Sequence, residues 1–344
     1  MKKVTVIGHL DWNGNDMIGA VVKARNIYEE LKKQINEVQV GNVDIYEWRK
    51  RKIQVFTEII KAFSLYKNIV LVCSDTSMIL MKFFSLMKSV FKNRIHYCVV
   101  GGDIAELLHA HPEQIKTLRC IDEFYVETAD CVTGLKTMGI SSVRLLRNFK
   151  RIEPLDESQL KYIFTEPYCF CTFSRVIEQK GITDAILAID RVNKEKGRKI
   201  CALDIYGPID ESYKEKFFQL LKENDVVKYR GVVDANESVD VLKNYYCLLF
   251  PTKYQTEGIP GTIIDGFAAG TPVICADWIK CRQIVTDGEN GIVYPFNDFD
   301  GLVNKINYAI EHTEIICGLK KKCIESYSIY MPENAIMPLL QQIE

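Results

Sequence analysis

Two carboxylates, Glu257 and Asp265, stand eight positions apart around Gly258-Ile259-Pro260-Gly261-Thr262, and the run continues through Gly266-Phe267-Ala268-Ala269-Gly270-Thr271-Pro272-Val273-Ile274. The stretch reads as an acid, a tight loop, a helix, a glycine stop and a buried strand. The first acid precedes the helix; the second lies within its first turns. A loop of this kind aims unpaired backbone N–H groups at whatever binds there. A helix N-terminus adds partial positive charge, which suits phosphate. Carboxylates do not hold phosphate; they accept hydrogen bonds from hydroxyls. Phosphate beside several hydroxyls describes a nucleotide sugar. The bland alternative is an ordinary helix–strand unit with two incidental acids.

The elements needed to position such a site are legible along the chain. Short apolar runs at 3–7, 38–45, 69–73, 95–100, 123–126 and 143–146 read as strands, as do those at 167–173, 200–206, 227–230, 247–250, 272–275 and 292–293. Amphipathic stretches separate most of them, such as Ala20 to Leu31 with Val21, Val22, Ala24, Ile27, Tyr28 and Leu31 on one face. This alternation implies parallel sheets covered by helices on both faces, an α/β protein. So many strands exceed one compact sheet of this type, and two doubly wound domains fit better. The polar, proline-containing segment Phe149 to Asp156 marks the boundary, giving domains 1–150 and 151–330. Asn334 to Glu344 reads as a terminal helix.

The 344 residues suffice for two cores, and 47% hydrophobic with 26% charged residues is a soluble globular composition. A net charge of −1 gives no global pull toward nucleic acid. Residues 1–150 nevertheless hold 22 Lys+Arg against 16 Asp+Glu, while the rest hold 22 against 29. The first half is therefore the one suited to an anionic surface. The 12 cysteines form no C-x-x-C pair and no Cys/His cluster with zinc spacing, so buried reduced thiols in a cytoplasmic protein are expected. Met1-Lys2-Lys3 leads straight into a strand, which leaves no room for a signal peptide, and no apolar run is long enough to span a bilayer.

The Glu257–Ile274 stretch resembles the E-x7-E region of retaining glycosyltransferases of the GT-B fold, family 4 in particular. It departs in one place, where Asp265 stands for the usual Glu. The resemblance is strong over about 167–300 and weak over 1–150. It implies two Rossmann-like domains facing each other across a cleft. Residues 151–330 would bind the nucleotide-sugar donor and 1–150 the acceptor, with a terminal helix over 331–344 crossing back to the first domain.

The same resemblance assigns roles within the donor half. Arg175 and Lys180, in the turn Ser174-Arg175-Val176-Ile177-Glu178-Gln179-Lys180-Gly181, match an Arg and a Lys five apart that reach the diphosphate. A diphosphate leaving group gains negative charge as the glycosidic bond breaks, and fixed cations stabilise that change. Two solvated loop charges would look the same. Gly207, ending Asp204-Ile205-Tyr206, is what remains of a G-x-G donor loop, and a plain strand-end turn stays open. Tyr229 to Asp234 resembles the segment whose backbone contacts the base, which makes Val232 a donor-binding position. Asp234 and Glu237 read as a capping box. Glu257 would lie against the donor sugar and Asp265 against the ribose hydroxyls. Gly258, Ile259, Pro260, Gly261 and the Thr262 hydroxyl would complete the diphosphate cradle. No metal is implied, because Arg175 and Lys180 supply the positive charge, and no cofactor beyond the donor substrate.

The acceptor half is less specific. The loop Gly8 to Gly19 is not the G-x-G-x-x-G dinucleotide fingerprint, which argues against a dehydrogenase. Gly14 and Gly19 are candidates for a loop closing over donor and acceptor; a polar surface loop is the other reading. Relatives carry a His after the fourth strand, but this chain has Gly101-Gly102-Asp103-Ile104 there, with Asp103 either an acceptor-side group or a helix cap. Residues 82–94 combine Lys82, Lys88, Lys92 and Arg94 with Phe83, Phe84, Leu86 and Phe91, either as a helix docking on anionic lipid or as one packed on the sheet.

The function expected is transfer of a hexose, with retention, from a nucleoside-diphosphate sugar to a glycan or lipid-linked acceptor. The setting is surface polysaccharide or glycoconjugate synthesis, in the cytoplasm or at the inner membrane face. The alternatives are a catalytically silent glycosyltransferase-like subunit and, with less motif support, a GT-B sugar-nucleotide epimerase or hydrolase.

Overall fold

The computed structural model describes residues 2–12, 14, 19–73, 78–101 and 104–343. The chain divides into two units, Met1–Phe149 with Tyr330–Glu344, and Lys150–Ile329. Every strand read from the apolar runs is present, with each end within three residues of the expected one.

Unit 1 begins β1 (Lys2–Gly8), α1 (Gly19–Gln34), β2 (Val40–Asp44), α2 (Lys52–Leu65), β3 (Tyr66–Cys73) and α3 (Met78–Phe91). It continues through β4 (Arg94–Val99), α4 (Ile104–Ala110), β5 (Glu123–Val126), α5 (Ala129–Thr137) and β6 (Val143–Leu145). Its six strands lie parallel in the order β2-β1-β3-β4-β5-β6. Ile7 pairs with Val43 on one side and Leu71 on the other. Strand alternation distributes the core to both faces. Ile69 and Leu71 pack under the α2–α5 side with Val55, Ile59, Phe63 and Phe84. Val70 and Val72 face α1 through Ala24, Ile27 and Leu31. The same second face is completed by Ala335, Ile336, Leu339 and Ile343 from the end of the chain.

The terminal segment forms two short helices, α12 (Pro332–Ala335) and α13 (Met337–Ile343), rather than one. Pro338 has no N–H to donate back to the preceding turn, so it ends the first helix and fits the first turn of the next. Helix α3 also stops at Phe91, which puts Arg94 at the start of β4 instead of on the basic helix. No helix among the described residues is long and apolar enough to cross a membrane.

Unit 2 contains β7 (Tyr168–Phe173), α6 (Ile182–Lys196), β8 (Cys201–Tyr206), α7 (Lys214–Glu223), β9 (Val227–Gly231) and α8 (Ser238–Leu242). There follow β10 (Cys247–Phe250), α9 (Gly261–Ala268), β11 (Val273–Ala276), β12 (Gly291–Tyr294), α10 (Phe299–Glu311) and α11 (Thr313–Tyr327). The parallel order is β12-β11-β10-β7-β8-β9. Ile186, Ile189 and Val192 of α6 recur at helical spacing and bury against Leu203, Ile205, Leu249 and Ile306. The chain builds outward from β7 to β9, then returns to lay β10 against the other side of β7. The loops after β7 and β10 therefore leave in opposite directions, and a crevice opens between them at the C-terminal ends of the strands.

All 12 cysteines are free thiols; Cys169 is exposed, Cys317 half-buried and the others buried. The expected Asp234 capping box does not form. Asp234 precedes a short 3-10 turn, Ala235–Glu237, and its side chain makes no cap hydrogen bond, the turn being closed by the backbone pair Glu237 N to Asp234 O.

Candidate functional site

The crevice of unit 2 collects the donor-side residues from two loops that backbone contacts bring close. Gly207 has φ +128°, and a Cβ there would lie 1.9 Å from the Ser174 carbonyl oxygen. Gly181 has φ +72°, and a Cβ there would lie 1.8 Å from the Pro251 carbonyl oxygen. Only glycine permits both the dihedral and the approach. The Lys253 amide also donates to the Gln179 carbonyl at 2.8 Å. The turn after β7 is thus clamped between the end of β8 and the loop after β10.

This clamp brings Lys180 to Glu257. The Lys180 ammonium donates to Glu257 Oε1, and Thr252 Oγ1 donates to the same oxygen at 3.2 Å. The ammonium also sits 5.5 Å from the Phe250 ring centre and 5.2 Å from that of Tyr254. Both charged groups are largely buried, with side-chain exposures of 18% and 14%. Arg175, in the same turn, is exposed, and its guanidinium makes no hydrogen bond or ion pair among the described residues.

A polar network lies behind the turn. Glu178 accepts from Thr183 Oγ1 at 2.6 Å, Lys216 at 3.0 Å and Lys253 at 3.0 Å, and Lys253 also reaches Asp184 at 2.9 Å. Burial alone would raise the Glu178 pKa. The hydrogen bonds from Thr183, Lys216 and Lys253 outweigh it and hold the carboxyl at about 2. For Lys253, burial pulls the pKa down, while Asp184 and Glu178 raise it above its ordinary value. Glu178 and Lys253 belong to the two different loops, so the network fixes their separation.

Helix α9 begins at Gly261 after Pro260, with no side-chain cap. The amides of Gly261 and Thr262, at its first two positions, make no hydrogen bond among the described residues. Gly258 is half-buried and Ile259 and Pro260 are buried ahead of them. The Thr262 hydroxyl donates to the Phe173 carbonyl, so its one proton ties α9 to the end of β7 and is not available to a ligand. Val232, just past β9, is 65% exposed.

Asp265 lies deeper than its expected role requires. It is 1% exposed, and Lys150 donates to Oδ1 at 2.7 Å and Oδ2 at 2.6 Å. Ser238 Oγ adds a third hydrogen bond to Oδ1 at 3.0 Å. Burial raises the Asp265 pKa, with Lys150 and Ser238 acting against that shift. Lys150 reads as a linker residue in sequence, 115 positions from its partner, and no periodicity flags it. The only sequence signal is the shorter acid at 265.

In unit 1, a Cβ on Gly14 would fall 2.1 Å from an Asp11 carboxylate oxygen, so a larger residue there would displace that side chain, whereas Gly19 has open space around it. Arg25 holds this loop through the Leu10 and Asp11 carbonyls. Asp103 lies outside the described residues. A buried ion pair missed in the sequence joins Lys23 on α1 to Glu127 just past β5 at 2.6 Å, with the Val99 carbonyl as a second acceptor for Lys23. Lys23 hides within an amphipathic pattern whose apolar face the sequence does define.

Residues 156–326 match the family of glycosyl transferases group 1. An uncharacterized glycosyltransferase of Methanocaldococcus jannaschii is 22% identical over 258 residues, covering 73% of this chain and 62% of that protein. An uncharacterized 41.2 kDa protein in the cps region of Klebsiella pneumoniae is 26% identical over 156 residues, 42% of this chain and 40% of that protein. The chain thus spans less than two thirds of either relative. The crystal structure of Anabaena HepE in complex with UDP and glucose superposes with a TM-score of 0.75 at 13% identity, covering 100% of this chain and 99% of that one. The likeness extends over both six-stranded sheets.

Proposed function

The chain belongs to the group 1 glycosyl transferases, a retaining family of GT-B fold, and from that premise we propose that it moves a hexose from a nucleoside-diphosphate sugar to a glycan or lipid-linked acceptor with retention of configuration. The observation that carries this reading is the pairing of Lys180 with Glu257 beside the uncommitted guanidinium of Arg175, at the crevice between β7 and β10. Without donor, lysine and glutamate neutralise each other. An arriving diphosphate draws the Lys180 ammonium and Arg175 to its oxygens, which frees Glu257 to accept from a sugar hydroxyl. The unpaired amides of Gly261 and Thr262 add to the anion field. Gly207, Val232, Gly258, Ile259 and Pro260 shape the donor pocket by backbone. Positive charge then meets the leaving group as the glycosidic bond breaks, and the leaving phosphate oxygen helps take the acceptor proton.

HepE was crystallised with UDP and glucose, which supports a uridine donor carrying a hexose. The relative in a cps region supports a role in surface polysaccharide synthesis. The acceptor would engage unit 1 through the loop holding Gly14 and Gly19 and through Asp103. The buried state of Asp265 favours a second reading, a silent subunit that has lost part of its donor site. A thermal-shift series with nucleoside diphosphates and their sugars tests donor binding. Nucleotide release on addition of a glycan acceptor separates enzyme from silent subunit: stabilisation by a diphosphate sugar without release under any acceptor would leave the second reading standing.

A further inference from the structure

Lys150 is the feature of the site that neither the motif nor the family match accounts for. Its backbone is fixed: the buried Tyr327 hydroxyl donates to the carbonyls of Lys150 at 3.3 Å and Ile152 at 2.8 Å, and the Leu155 amide donates to the Ala268 carbonyl at 2.8 Å. This ties the segment to both α11 and the end of α9. The lysine stem passes over the first turn of α9, where a Cβ on Gly261 would lie 3.5 Å from Lys150 Cδ. The ammonium then meets both oxygens of Asp265.

We propose that Lys150 positions the donor by donating to the ribose hydroxyls, with Asp265 acting as its buried counter-ion. This rests on the reading above that a nucleoside-diphosphate sugar occupies this end of unit 2. Asp265 itself is badly placed for the task. Its side chain is 1% exposed, against 17% for Lys150, and both of its oxygens are engaged. The ammonium carries three protons, one carboxylate takes at most two of them, and no other acceptor among the described residues takes the third. The charge balance indicates what that proton meets. A lone lysine at this point would act as a phosphate anchor. A lysine neutralised at 2.6 Å by a buried carboxylate offers a donor with little net charge, which suits a hydroxyl better than a diphosphate. The aspartate at 265 fits this arrangement, because a longer glutamate would push the acid into the space the ammonium fills.

The test uses the full chain and isothermal titration with UDP, GDP and ADP, followed by the 2′,3′-dideoxy form of whichever diphosphate binds. Wild-type protein should prefer the ribose form by about tenfold, the scale of one ordinary hydrogen bond. Lys150→Met should remove most of that preference while the 2′,3′-dideoxy diphosphate binds as before. Lys150→Arg keeps the charge on Asp265 and protects the fold. Its guanidinium forks onto the carboxylate and turns its remaining donors away, so the preference should fall in this variant too. Equal binding of both forms by the wild type would overturn the proposal. So would an undiminished ribose preference in the folded variants, which would leave Lys150–Asp265 as a structural staple. Failure of the wild type to bind any of the three diphosphates would strike the donor-site reading itself.

Discussion

Lys180 and Glu257, 77 positions apart in sequence, share one ion pair, and the nearby Arg175 guanidinium has no such partner among the described residues. The two cations expected to meet the diphosphate therefore differ in what their removal does. Arg175→Ala should cut turnover at least about tenfold, from loss of a contact worth roughly 1.5–3 kcal/mol, and leave the melting temperature unchanged. Lys180→Ala should cut turnover similarly and also lower the melting temperature, because Glu257 keeps only Thr252. Initial rates and thermal scans on both variants check this; wild-type rates in both would remove the diphosphate assignment.

The two carboxylates should separate by readout. Glu257→Gln should damage turnover more than nucleoside-diphosphate affinity, since its proposed partner is the sugar. Asp265→Asn should act first on stability, because it leaves the largely buried Lys150 without its counter-ion, a loss of about 3–5 kcal/mol for a buried pair and less here for the exposed part of the lysine. Urea unfolding beside calorimetry distinguishes them, and an Asp265→Asn protein of full stability would mean the pair contributes nothing to the fold.

Acid should act through Glu178. Its pKa is lowered from 4.5 to about 2 in the folded protein. A depressed carboxyl contributes stability that is fully present above the unfolded value and is lost as pH falls through the folded one. The stability gap between wild type and Glu178→Gln should therefore be widest above pH 4.5 and close toward pH 2. A gap that stays constant over that window would show that the network of Thr183, Lys216 and Lys253 does not hold the carboxylate.

Activity should survive EDTA if Arg175, Lys180 and the α9 amides supply the positive field. Abolition by EDTA with rescue by magnesium or manganese would point to a cation doing that work instead.

Membrane docking through residues 82–94 needs a different test from the one the sequence suggests. Phe84 is fully buried, Phe83 packs edge-on against Phe56 at 4.7 Å, and Lys88 donates to Asp122 at 2.6 Å. What α3 presents to solvent is Lys82 and, just past its end, Lys92, with Leu86 57% and Val90 61% exposed. Sedimentation with anionic vesicles at low salt should accordingly be lost in Lys82→Glu/Lys92→Glu and weakened in Leu86→Ser/Val90→Ser, each basic residue contributing about 1 kcal/mol. No sedimentation by the wild type would indicate a soluble acceptor.

The fold was legible because parallel strands buried on both faces announce themselves as apolar runs, as Ile69 to Cys73 does. The Glu257–Ile274 stretch was legible because glycine, proline and acid fall at fixed offsets around one helix. What sequence could not give is pairing at a distance. Lys150 and Asp265, Lys180 and Glu257, and Lys23 and Glu127 meet only because strand order folds remote loops together, and a charge carries no label naming its partner. Local rules also failed where geometry intervened: Asp234 and Glu237 have capping-box spacing, but a 3-10 turn over Ala235–Glu237 separates Asp234 from the α-helix that starts at Ser238.

The return of the chain to unit 1 has a consequence for biosynthesis. One face of the first sheet, under Val4, Val6 and Val70, is closed by Ile336, Leu339 and Ile343. Those residues are translated only after the whole of Lys150–Ile329. The unit that emerges first from the ribosome is therefore the last to be finished, and it carries an uncovered apolar strip while its neighbour folds. A chain stopped shortly before Tyr330 would hold every residue of the second unit and leave this apolar face of the first without its cover.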